Sequence, residues 1–187
     1  MKRNQYTPRK TGGIESLLPD DTVEIDGPNR PFKDNLLDGL VGRWNVTGTI
    51  AGQSIRHFCE ADWVLNHQFL RVQFVDVESR SSQEQRGNKE HQHAPYEAIV
   101  FVGYDNMSER YVVHWLDIFG GRFSETLGFG KRENNESIKF TFEYPSGPLH
   151  NTFSRNADKD AWSIVIEQKD DKGKWTVFAN EVLERTK

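Results

Sequence analysis

The sequence predicts an all-β domain: a single antiparallel up-and-down barrel of about ten strands, with a short N-terminal helix. Three observations predict it. From Trp44 onward, short runs rich in Val, Ile, Phe, Tyr, Trp and Thr succeed one another without a helical period. Turn signals at Asp105 to Glu109, Gly120-Gly121, Asn134-Asn135, Ser146-Gly147, Asp158-Lys159 and Asp171 to Gly173 recur every 12 to 15 residues, the rhythm of a meander. Ten such strands, with no connections for a second sheet, call for closure, which also removes exposed edges. The chain of 187 residues is long enough for one sizeable core, and 12% aromatic against 35% hydrophobic residues suits a core built from rings.

In chain order, residues 1–33 form a polar arm with Pro8, Pro19, Pro28 and Pro31 and no core of their own. The barrel domain is expected over 34–187. In DNLLDGLVGRW, Leu36, Leu37 and Leu40 at helical spacing behind a capping Asp34 predict a short helix ending near Gly42. Strands follow at roughly 43–50, 55–64, 68–78, 96–104, 110–119, 122–132, 136–144, 149–155, 161–169 and 174–185. The hydrophilic stretch Ser79 to Pro95 is expected at one rim.

Short turns carry faces from strand to strand. Pairing Phe119 with Arg122 sets His114 opposite Leu127, and pairing Glu133 with Glu136 sets Leu127 opposite Phe142. Pairing Tyr144 with Leu149, Asn156 with Ala161 and Lys169 with Lys174 extends one apolar face through Trp162, Ile164, Ile166, Val177, Ala179 and Glu181. Ser124, Thr126, Lys139, Thr141, Glu143, His150, Thr152, Ser154, Ser163 and Glu167 fall on the other. The apolar face is expected inside.

That face carries ionisable residues. His114, Glu125 and Tyr144 are expected inward on neighbouring strands and Asn151 one strand further, with His57, Arg155 and Glu181 as other inward candidates. Buried polar groups among rings need partners, so this set, with Phe142 and Trp162, points to a cavity for one small, mostly apolar ligand. Two readings stay open beside it: an enzyme using a Glu125/His114 pair for general acid-base chemistry, and a barrel plugged by its own side chains.

LVGRW, Leu40 to Trp44, resembles the G-x-W signature of lipocalin-like (calycin) barrels, carried here by Gly42 and Trp44. Gly103-Tyr104-Asp105 and YVVHWLD, Tyr111 to Asp117, resemble an uncharacterised bacterial branch of these barrels, domain of unknown function fifteen-seventy-nine. The resemblance covers roughly residues 35 to 187. It implies a small-molecule cavity, no known activity, and an Arg of the last strand over the signature Trp, for which Arg185 is the counterpart. It also draws attention to Trp115 and Asp117, which the register above places outside, in packing roles. Nitrobindin-like haem barrels share the G-x-W opening and use one histidine. His150 points outward in this register and the G-x-G-x-G opening is absent, so no cofactor is expected.

Other functions are disfavoured. A formal charge of -4 argues against nucleic acid. Cys59 stands alone, so a reducing, cytoplasmic setting without a disulfide is expected. No run approaches the roughly 18 apolar residues of a membrane helix. Glu90-His91-Gln92-His93 lacks a third ligand, so no metal is expected. NADKDAWSIVIE has Ala161 where a calcium loop turns on glycine, and reads as a hairpin. A small-molecule partner is expected, and a homodimer is left open.

Overall fold

The computed structural model describes residues 30–77 and 95–186. The chain divides into two units, Met1–Arg30 and Pro31–Lys187, and every described element belongs to the second. Most of the expected arm, and the hydrophilic stretch with His91 and His93, lie outside the described residues.

The helix shrinks to one turn, α1 (Asn35–Asp38). Asp34 starts it by accepting from the N–H groups of Leu36 and Leu37 at 2.9 and 3.0 Å. Leu36, Leu37 and Leu40 are buried, so this turn exists to lay leucines across one barrel end. Ten strands follow: β1 (Gly42–Ile50), β2 (Gln53–Val64), β3 (Phe69–Asp76), β4 (Glu97–Asp105), β5 (Arg110–Asp117), β6 (Leu127–Asn134), β7 (Ser137–Tyr144), β8 (Gly147–Asn156), β9 (Ala161–Lys169) and β10 (Trp175–Arg185). Each pairs antiparallel with its neighbours, and β1 pairs with β10, so the barrel is closed.

An up-and-down barrel places alternate connections at opposite ends. The β2–β3, β4–β5, β6–β7 and β8–β9 turns share one end with α1, and this end is sealed. There Trp44 is fully buried and donates its indole N–H to the Leu40 carbonyl at 2.8 Å. The Arg185 guanidinium lies 4.1 Å above its ring and donates to the carbonyls of Val41 and Gly39 while pairing with Asp160. Gly42, with φ at +130°, sits beneath that guanidinium, where a side chain would collide. Nearby, buried Asp34 also receives the Tyr111 hydroxyl and the Arg132 guanidinium.

One strand starts later than expected and three registers differ. The strand expected at 122–132 begins at Leu127, because Gly120–Arg122 form a short 3-10 turn rather than a tight hairpin. More consequentially, a bulge between Arg132 and Asn134 shifts β6 by one residue against β7, pairing Gly128 with Phe142 and Gly130 with Phe140. His114 does pair with Leu127, but the slip reverses the faces of β5 and β6. Gly128 and Gly130 face inward, and the rings of Phe142 and Phe140 occupy the space their side chains would take. Leu127 and Phe129 face outward, Phe129 under the Arg110 guanidinium at 3.6 Å. On β7 and β8 the register shifts by two, Tyr144 pairing with Gly147, and the faces survive. A second bulge, between Val177 and Ala179, turns Val177 out to 60% exposure while Ala179 stays buried.

Candidate functional site

Above the sealed floor the lumen opens into a cavity of about 860 Å³. It reaches the end where the β1–β2, β5–β6, β7–β8 and β9–β10 connections meet, and Ala51, Phe123, Ser146 and Asp171 of those connections form its mouth. Its wall is largely aromatic and aliphatic, with Tyr96, Trp115, Phe142, Tyr144, Leu149, Ile166 and Phe178.

Of the residues singled out in the sequence, Glu125, Tyr144, Asn151, Phe142 and Glu181 line this cavity. His114 does not. It is exposed on the outside of β5, its ring edge-on to Phe69, so it never meets Glu125, which stands at the mouth with its carboxylate accepting from the Thr126 and Leu127 N–H groups. His57 is buried on β2, stacked on Tyr96 with centroids 5.1 Å apart, and its Nδ1 has no partner. Burial pulls its pKa down, against the pull of Asp76. Trp162 belongs to the floor and donates to the Gly39 carbonyl at 3.2 Å. Arg155 lies against Gly39 at the same end.

Trp115 and Asp117, placed outside by the sequence register, are cavity residues. The same one-residue slip accounts for both. Trp115 stacks on Phe74 and sits beside Tyr96, where its indole N–H opposes the rise of the phenol pKa. Asp117 ends β5 and caps the following turn, accepting from the N–H groups of Phe119 and Gly120 at 3.0 and 3.3 Å. This cap holds the nine-residue connection 118–126 at the mouth. Tyr96 and Phe178 were missed as well. The bulge beside Phe178 hides it from an alternation count, and Tyr96 precedes the first paired residue of β4.

Electrostatically the lumen is acidic. Burial alone pushes the Glu181 carboxyl up to about 7. Burial also raises the Tyr96 phenol, with the Trp115 N–H opposing, and that of Tyr144. Cys59 is buried and free, its thiol raised by burial and by Glu181 and Glu60, so no nucleophile is activated there. Among the described residues, no cluster of three or more His, Cys, Asp or Glu could hold a metal ion. His150 stacks on Trp175 with centroids 3.9 Å apart, on the outward-facing side of β8.

No protein-family model and no curated protein matches the chain. Among the described residues, no helix is long and apolar enough to cross a membrane.

Proposed function

We propose that this protein is a lipocalin-like binding barrel that holds one small, mostly apolar ligand. The observation that carries the reading is the cavity itself: about 860 Å³ of ring-lined lumen, within the range of ligand sites, sealed at one end and open at the other. A self-plugged barrel would fill that space with its own side chains, and here it stays open. The lipocalin-like assignment is supported by Gly42 and Trp44 at the start of β1 with Arg185 of the last strand over the Trp ring. Membership of the uncharacterised bacterial branch rests on the YVVHWLD motif, of which Trp115 and Asp117 face the cavity. A cytoplasmic setting is the reading from a lone buried thiol.

The test is titration with the neutral fluorophore N-phenyl-1-naphthylamine, alongside native mass spectrometry of the purified protein. One molecule should bind per chain, and Ile166→Trp, which adds bulk inside the cavity, should weaken binding by about ten-fold or more while the fold is kept. Equal binding by wild type and Ile166→Trp would locate the probe elsewhere and remove the support for a lumen site.

A further inference from the structure

The small-ligand reading leaves the ligand's polar group unassigned, and the lumen constrains it. Two side chains of the cavity wall, Glu181 and Asn151, carry acceptors for which the described residues supply no donor. Glu181 of β10 is 5% exposed, lines the cavity, and has no hydrogen-bond donor among the described residues. Asn151 of β8 is 2% exposed, and its Oδ1 is without a partner. Both flank β9 at adjacent inward levels, Glu181 opposite Ile164 and Asn151 opposite Ile166. A buried acceptor left unmet is destabilising, and a ligand in the cavity can supply the missing donors.

Charge narrows the donor. Among the described residues that line the cavity, Asp117, Glu125, Asp170, Asp171 and Glu181 are acids and Lys169 is the single base. Lys169 extends toward the Trp175 ring, 5.4 Å from its centroid. The charges lining the lumen therefore favour a cation over a ligand carboxylate. A neutral hydroxyl would satisfy one acceptor and gain nothing from those charges. An ammonium would donate to both acceptors and hold Glu181 ionised.

We propose that the barrel selects a ligand carrying a protonated aliphatic amine, its ammonium group seated beside Glu181 and Asn151 and its apolar part against the aromatic wall. This rests on the small-ligand reading and deepens it. The site takes one amphiphilic amine rather than a fatty acid or a neutral lipid.

Three probes of equal chain length test it: n-octylamine, n-octanol and octanoate, each titrated near neutral pH and read by Trp fluorescence and thermal shift. Octylammonium should bind about ten-fold or more tightly than octanol, with octanoate weakest. Glu181→Gln, its fold checked by circular dichroism, should abolish the preference while keeping octanol affinity. Asn151→Leu should weaken octylammonium more than octanol and serves if Glu181→Gln does not fold. Octanol or octanoate binding as well as the amine would overturn the amine assignment and leave the cavity reading standing. An amine preference that persists in Glu181→Gln would overturn the seat at Glu181. Binding of none of the three would overturn the amine site together with the cavity reading.

Discussion

Glu181 holds a carboxyl among rings, where the ionised form loses its hydration. Its pKa rises from 4.5 to about 7 in the folded chain. Below 4.5 both folded and unfolded chains keep the proton, and between 4.5 and about 7 only the folded chain keeps it. The unfolded state then binds fewer protons than the native state, so stability falls as pH climbs through this window and levels off above it. Thermal melts across that range should record this slope in the wild type. Glu181→Gln should lack this component and be the more stable protein above neutrality. Identical pH profiles would show that Glu181 is not the buried acid described here. Trp44 is a residue of the opposite kind, buried, hydrogen-bonded and covered by Arg185. Trp44→Ala should lose about 3–5 kcal/mol in chemical denaturation, because the sealed end cannot collapse onto so large a void.

At the scale of elements, β6 carries the main lesson. Its inward residues are Gly128 and Gly130, and its outward residues include Leu127 and Phe129. The alternation of large apolar and small residues therefore runs opposite to the true faces. Alternation follows side-chain hydrophobicity, but here the neighbouring strand's rings fill the interior over bare backbone. Gly130→Val should cost about 1–3 kcal/mol by overpacking against Phe140, while Lys131→Ala, outward and exposed, should change stability by less than about 0.5 kcal/mol. The strands themselves were legible, since turn residues mark where pairing must stop. Bulges were not, because one extra residue at Glu133 or Phe178 has no compositional mark. Hence Tyr144, Asn151, Phe142 and Glu181 could be read from the sequence as inward-facing, whereas His114, Trp115 and Asp117 came out reversed and Glu125 reaches the mouth from the β5–β6 connection. The single helical turn offers a further test. Asp34→Ala removes both the cap of α1 and the acceptor of Tyr111 and Arg132, and should cost about 2–4 kcal/mol in denaturant unfolding.

For the whole molecule, closure depends on the pairing of β1 with β10, the two strands furthest apart in the chain. Arg185 reaches back 144 residues to the Val41 carbonyl. Contacts of such separation carry the largest loop-closure entropy, so this seam should form late in folding. Arg185→Ala should therefore raise the unfolding rate and leave the folding rate nearly unchanged in a stopped-flow chevron. A slowed folding arm would place the seam in the transition state instead.

The sealed end also holds the last described residues. Thr186 follows β10 there and donates to the Arg43 carbonyl at 2.9 Å, at the pole opposite the Asp171 and Phe123 rim. A protein tethered to a sensor surface through a tag placed after Thr186 would thus stand with its lumen turned toward the analyte. The rim turns could then be diversified as a recognition surface without touching the anchorage.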